Sequence, residues 1–225
     1  MEAVAIVLAA GAGLRLGIGE PKAFLALGDA PILVWAVRSA LACPQVGALV
    51  VTVPLGFEEE ARATLEALGG AVTVVTGGDT RQASVRAALA EVPLDVPFVL
   101  VHDAARPFAS PDLFSRVLEA VNGDAGGALP ILPMTDTVKQ VVDGWVVATL
   151  ARDELGLAQT PQAFRSDVLR ESHDAAVSEE LTDDAAVLER AGHRVRAIAG
   201  DLNNVKITTM LDLITARERV GGAGG

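Results

Sequence analysis

The chain of 225 residues has no tyrosine, one cysteine, two tryptophans and only 4% aromatic residues. A lone Cys43 can neither close an intrachain disulfide nor supply a thiolate metal cluster, which excludes a stapled secreted scaffold and a zinc ribbon. It reads instead as a small buried hydrophobe. With so few aromatics and 51% apolar residues, the core must be aliphatic and alanine-rich, as suits helices packed closely on a parallel sheet. Positive charge is also scarce: 18 Lys and Arg stand against 29 Asp and Glu, a net charge of −11. That balance removes the basic face on which nucleic-acid affinity rests, and it makes any local pair of cations informative. No apolar run is long enough to span a bilayer, for which about 20 residues are needed. The first residues carry no basic segment ahead of the short run Ala3–Ala10, so the expectation is a cytoplasmic protein without a membrane partner.

What is present is a strand–helix rhythm. Short apolar runs, the first four rich in β-branched residues, at Val4–Leu8, Ala48–Val53, Val72–Thr76, Pro97–Val101 and Gly126–Pro133 predict buried strands. Between them, helical spacing covers Pro31–Leu41, with Pro31 in the first turn, then Phe57–Leu68, about 81–91 and about 111–121. The pattern predicts a single Rossmann-like α/β domain with a mostly parallel central sheet flanked by helices. It breaks once: Thr137–Val142 and Trp145–Leu150 alternate around Asp143-Gly144, a strong hairpin signal. Helices from Ser166 and after Thr182, read as an N-cap, a strand at Arg194–Ala199 and a helix at Met210–Val220 follow. The expected organisation is one domain over 1–220, a protruding β-arm at about 135–158 inserted in it, and a disordered tail at 221–225.

Three strand ends carry the chemistry. The first opens the loop from Ala9 to Lys22, with glycines at 11, 13, 17 and 19 and cations at Arg15 and Lys22. Open α/β sheets bind ligands at the carboxyl ends of their strands, and such a loop can turn amides toward a polyphosphate. Spacing argues against two common versions. A dinucleotide fingerprint fails at Leu16 and lacks an acid at the end of the next strand, Val51-Thr52-Val53-Pro54; a Walker loop fails because Pro21-Lys22-Ala23 stands where Gly-Lys-Ser/Thr is required. Taken alone, the loop reads equally as a flexible connection with two solvated cations. The second end, Gly77-Gly78-Asp79-Thr80-Arg81 with Ser84, opens a helix, so Asp79 and Thr80 are caps or ligand-reading groups. At the third, His102-Asp103-Ala104-Ala105-Arg106-Pro107, Asp103 is a turn former or a ligand for a hard divalent cation, and His102 a satisfied structural histidine. His173 and His193 have no metal-like spacing, and no nucleophile triad is visible.

With Asp136-Thr137-Val138-Lys139, Arg152, Thr160-Pro161-Gln162, Thr182-Asp183 and Asn204-Val205-Lys206-Ile207-Thr208 following in order, the chain resembles the 2-C-methyl-D-erythritol 4-phosphate cytidylyltransferase family of the nucleotide-sugar-transferase superfamily over nearly its whole length. The resemblance implies an enzyme of non-mevalonate isoprenoid precursor synthesis. It would move a cytidylyl group from CTP to 2-C-methyl-D-erythritol 4-phosphate, giving 4-diphosphocytidyl-2-C-methyl-D-erythritol and pyrophosphate. It assigns Arg15, Lys22 and Lys206 to catalysis, Ala9, Ala10, Gly11, Gly13, Gly78, Asp79, Ser84 and Ala104 to the nucleotide, and Asp103 to Mg2+ or another divalent cation. Arg106, Thr137, Lys139, Arg152, Thr160 and Thr182 would hold the acceptor, and Arg81 would support the base-reading loop. The arm would build a homodimer and carry Thr137, Lys139 and Arg152 into the neighbour's site. Where many members have a second acidic residue this chain has Asn203, which leaves a second protein ligand for the metal open. A ribitol 5-phosphate cytidylyltransferase and a catalytically silent nucleotide-binding module are the alternatives.

Overall fold

In a computed structural model that describes residues 3–11 and 20–222, the chain runs β1 (Ala3–Leu8), β2 (Ala26–Leu27), β3 (Ala30–Pro31), α1 (Ile32–Leu41), β4 (Val46–Val53), α2 (Glu58–Glu66), β5 (Val72–Thr76), α3 (Arg81–Glu91), β6 (Phe98–Asp103) and α4 (Pro111–Glu119). It continues through β7 (Gly127–Pro133), β8 (Lys139–Val142), β9 (Trp145–Thr149), β10 (Gly156–Ala158), β11 (Gln162–Arg165), α5 (Ser166–Ala175), α6 (Asp184–Arg190), β12 (Val195–Ala199) and α7 (Met210–Gly221). An eight-stranded sheet orders β5-β4-β1-β6-β11-β7, with β12 on the far edge of β7 and β10 continuing the line of β11. The pairs β1–β4, β1–β6, β4–β5 and β12–β7 are parallel. The broken strand β10–β11 runs against its neighbours, and the Gln159 amide bridges the break by donating to Pro130 O.

Period-two alternation divides the core between the two faces of the sheet. Ala3, Ala5 and Val7 of β1 pack with Leu33 and Val37 of α1 and with Phe114 and Val117 of α4. Val4 and Ile6 turn the other way, toward Val85 and Leu89 of α3, Leu169 of α5 and Leu188 of α6. Burying each of these Val, Leu, Ile and Phe side chains contributes about 1.5–3 kcal/mol, and each alanine methyl less than about 1 kcal/mol. Cys43 belongs to the first cluster, as a buried hydrophobe should. Ser110 caps α4 through the Leu113 amide with Pro111 in the first turn, and Thr209 with Asp212 forms a capping box on α7.

Local chemistry corrects the sequence reading in three places. Pro31 is not inside α1 but at its N-cap, extended and paired with Ala26. Asp183, not Thr182, caps α6, because its side chain accepts from the Ala186 amide. The reversed strand β10–β11 was not expected, since three- and four-residue stretches of mixed polarity carry too little periodicity to read. The hairpin of β8 and β9 forms a sheet of its own, with Asp143 and Gly144 both at positive φ, 49° and 82°, as a two-residue turn of the primed type requires. α7 runs through Gly221, the first residue of the expected tail at 221–225; residues 223–225 lie outside the described residues. Among the described residues no helix is long and apolar enough to cross a membrane.

Candidate nucleotide-binding cleft

A cleft of about 710 Å³ opens at the carboxyl ends of the parallel strands. Ala9, Ala10, Gly11 and Lys22 line it from the loop after β1, Gly77–Arg81 and Ser84 from the turn into α3, Asp103–Ala105 from the end of β6, and Lys206 and Thr208 from the segment before α7. Parallel strands deliver their loops to one edge, so residues far apart in the chain converge there. The Lys22 ammonium donates to Ile207 O at 2.8 Å, tying the first loop to the last.

Asp103 is the acidic centre of the floor. Lys206 Nζ lies 2.6 Å from its Oδ2 and Arg81 Nε 3.4 Å from its Oδ1. Burial alone would raise its pKa, but Arg81 and then Lys206 reverse this and hold the carboxyl far below the usual range. It therefore stays ionised at any physiological pH. Behind Asp103, His102 is fully buried, with Nε2 3.1 Å from Arg106 O and Nδ1 3.1 Å from Thr160 Oγ1. A carbonyl can only accept, so Nε2 carries the proton, the Thr160 hydroxyl donates to Nδ1, and the ring is neutral. The Asp103 amide donates to the same Thr160 oxygen at 3.0 Å.

Burial lowers the His102 pKa to about 4, from an ordinary 6.5. The unfolded chain therefore binds more protons between these values, and stability must fall as pH drops through that window. Linkage predicts a loss of about 3 kcal/mol from this group between neutral pH and pH 4. Thermal melts at pH 7, 5.5 and 4.5 check it: the melting temperature should fall stepwise, and His102→Gln should flatten the fall.

The turn into α3 separates two roles that the sequence left joined. Thr80 is the cap, its Oγ1 accepting from the Ala83 amide at 3.0 Å, which leaves Asp79 exposed on the cleft wall. Ser84 Oγ accepts from the Gly78 amide at 3.1 Å and donates to Thr80 O at 3.0 Å, fixing the turn beside the first loop. There is no room for a side chain at residue 77: a Cβ would sit 2.3 Å from Ala10 Cβ and 2.9 Å from Ser84 Oγ. Ala10 Cβ cannot rotate away, so Gly77→Ala must push the two walls apart. Nucleotide affinity measured by calorimetry is expected to fall about tenfold or more, with a loss of stability of about 1–3 kcal/mol.

Of the residues assigned by sequence, Ala9, Ala10, Gly11, Lys22, Gly78, Asp79, Ser84, Asp103, Ala104 and Lys206 line this cleft together. Arg15 and Gly13 lie outside the described residues. Arg106 and Thr160 do not line it; they brace its floor, Arg106 by donating to Asn204 O at 2.9 Å and Ala158 O at 3.2 Å. Thr182 is exposed next to the α6 cap, away from the lining. Thr137, Lys139 and Arg152 sit on or beside the hairpin, where Lys139 donates to Thr149 and Arg152 to Thr135 O. Sequence reasoning missed how central Arg81 is, and missed its partner Asp184 altogether, because an Asp at a helix start signals only capping. The Asn203 side chain is not part of the lining.

Asp103 and Asp79 are the acids of the lining, and among the described residues no three His, Cys, Asp or Glu side chains gather to cage a metal. One ionised carboxylate beside open space fits a hard cation such as Mg2+ that takes its remaining ligands from phosphate oxygens and water.

The family model for IspD: 2-C-methyl-D-erythritol 4-phosphate cytidylyltransferase matches residues 3–221. A 2-C-methyl-D-erythritol 4-phosphate cytidylyltransferase of Rhodococcus jostii is 48% identical over 218 residues, which cover 96% of this chain and 94% of that protein. The crystal structure of a 2-C-methyl-D-erythritol 4-phosphate cytidylyltransferase from Thermus thermophilus superposes with a TM-score of 0.81 at 35% identity, covering 98% of this chain and all of that one, 100%. That of a 4-diphosphocytidyl-2C-methyl-D-erythritol synthase from Anaerococcus prevotii gives 0.87 at 27% identity, over 97% and 96% of the two chains. The matches run the length of a chain whose first, third and last loops meet in one cationic cleft, and the chain belongs to the 2-C-methyl-D-erythritol 4-phosphate cytidylyltransferase family.

Proposed function

We propose that this protein transfers the cytidylyl group of CTP to 2-C-methyl-D-erythritol 4-phosphate, forming 4-diphosphocytidyl-2-C-methyl-D-erythritol and releasing pyrophosphate. The observation that carries this reading is the meeting of Lys22, Arg81 and Lys206 at a glycine-lined strand edge, in a protein of net charge −11. Cations gathered against that overall charge suit a polyanionic substrate. The attacking group is a phosphate oxygen, already an anion, so the site needs no general base. Its task is to place that oxygen in line with the α-phosphorus and to neutralise charge as the pyrophosphate leaves.

Lys22, Lys206 and Arg15 neutralise the triphosphate. Asp103 would hold the divalent cation, which when bound would supply further charge neutralisation for the triphosphate. Ala9, Ala10, Gly11, Gly13, Gly78, Asp79, Ser84 and Ala104 bind the nucleotide, with Ser84 and the Gly78-Asp79 turn selecting cytosine. Thr137, Lys139, Arg152 and Thr182 serve the acceptor directly, and Arg106 and Thr160 serve it from beneath, by bracing the floor. Of these the arm residues act across a homodimer. The hairpin supports this, since Trp145 is 77% exposed and Val146 63%, and a two-stranded ribbon is marginal by itself.

Pyrophosphate release tests the reading. With Mg2+, release should require both CTP and 2-C-methyl-D-erythritol 4-phosphate, and ATP should support less than about a hundredth of the CTP rate. Equal turnover with ribitol 5-phosphate would move the acceptor assignment to the sister activity, and CTP binding without turnover on any acceptor would leave a silent binding module.

A further inference from the structure

Beneath the cleft floor runs a buried line of charge to which the reading above gives no role. Arg81 Nη1 donates to Asp184 Oδ2 at 2.7 Å, and the fully buried Asp184 is also met by His173 Nε2 at 3.0 Å. On the cleft side Arg81 reaches Asp103 only through Nε, at 3.4 Å. The two contacts are unequal: the first is a short charge-assisted hydrogen bond, the second is longer than any strong one. The guanidinium is therefore anchored on Asp184 and merely leans on Asp103. Its Nη2 is buried without a hydrogen-bond partner among the described residues.

Asp184 is itself held firmly. Gln162 Nε2 donates to the neighbouring Asp183 at 2.8 Å, and Gln162 Oε1 accepts from the Ala185 amide at 3.2 Å, which fastens the start of α6 to β11 from both sides. Burial would raise the Asp184 pKa, but the Arg81 charge and the His173 hydrogen bond reverse this and keep it ionised.

We infer that Asp184, oriented by His173, is a positioning residue for the metal–triphosphate site: it draws Arg81 away from Asp103 and so keeps the Asp103 carboxylate available to the divalent cation. This rests on the proposed function. The argument is one of charge. Two cations, Arg81 and Lys206, face two anions, Asp103 and Asp184. If Asp184 loses its charge, Asp103 becomes the one carboxylate in ion-pair contact with Arg81 among the described residues, Asp183 acting on it only from further away, and the guanidinium closes on Asp103 in competition with the metal. The site also gains one net positive charge, which favours a bare triphosphate. Metal-bound CTP should thus lose affinity while metal-free CTP keeps or gains it, an outcome that simple loss of packing does not produce.

Calorimetric titration of CTP, once in EDTA and once in saturating Mg2+, reads the factor by which Mg2+ tightens binding. In Asp184→Asn that factor should shrink about tenfold or more, with metal-free affinity equal or higher. Placed in an Arg81→Gln background, Asp184→Asn should change the factor by less than about twofold, because its effect travels through Arg81. Equal weakening in both conditions, or an undiminished effect without Arg81, overturns the inference. Should Asp184→Asn fail to fold, His173→Gln keeps the Asp184 charge and loosens its hold: a reduction of about threefold is expected, and an unchanged factor overturns the inference. An unaltered protein whose CTP binding ignores Mg2+ overturns the metal assignment itself; one that responds to Mg2+, with an Asp184→Asn factor unchanged, overturns the inference alone.

Discussion

Lys22→Ala and Lys206→Ala are each expected to lower turnover by about 10²–10³ while leaving the fold intact. Both ammonium groups line the cleft from loops outside the aliphatic clusters, so their removal opens no core cavity. Their costs should fall differently. Lys22 is fastened to the carbonyl of Ile207, which presets its position; its loss should depress kcat with little change in the KM for CTP, the mark of a contact made mainly in the transition state. Lys206 is paired with Asp103 at 2.6 Å, so removing it also exposes a carboxylate that repels the triphosphate, and KM should rise along with the fall in kcat. Lys206→Arg should recover part of the loss, since it restores the charge in a different shape. Steady-state kinetics with thermal melts decide: near-normal turnover in either variant, at an unchanged melting temperature, removes that lysine from catalysis. Arg15→Ala is assigned the same direction and size.

The centre of the sheet was legible because β1, β4 and β6 are buried on both faces and read as nearly unbroken apolar runs; Val72–Thr76 stands where the sequence puts it, and the hairpin follows from alternation about Asp143-Gly144. What escaped was set by tertiary context. β10 and β11 are strands only because β6 and β7 offer them edges, and nothing in Gly156-Leu157-Ala158 or Gln162-Ala163-Phe164-Arg165 announces this. The convergence of Ala9–Gly11, Lys22, Gly78, Ser84, Asp103 and Lys206 was readable as loops at strand ends, a rule of topology. Arg81 was visible as a residue of its loop, but its tie to Asp184, 103 positions away, needed the packing of α6 against the sheet. Thr160 shows the converse: its motif was conspicuous, yet its hydroxyl is spent on His102 and the Asp103 amide beneath the cleft.

Coexpressing Lys22→Ala with Arg152→Ala, each inactive alone, is expected to restore about a quarter of the unaltered activity. Arg152 lies at the base of the hairpin, exposed, donating to Thr135 O, and it does not line the cleft of its own chain. The hairpin beside it is apolar where it meets water, with Val141 57% and Val147 56% exposed, a surface that the proposed homodimer would cover with a second copy. If that copy presents its cleft to the arm, each site draws Lys22 from one subunit and Arg152 from the other. Random pairing makes about half of the dimers mixed. In a mixed dimer the site built on the Arg152→Ala chain keeps its own Lys22 and receives an intact Arg152 from the other arm, while the second site lacks both. Half of the sites in half of the dimers therefore work. Were Arg152 to serve its own cleft, every site would lack one of the two residues, and coexpression would return no activity.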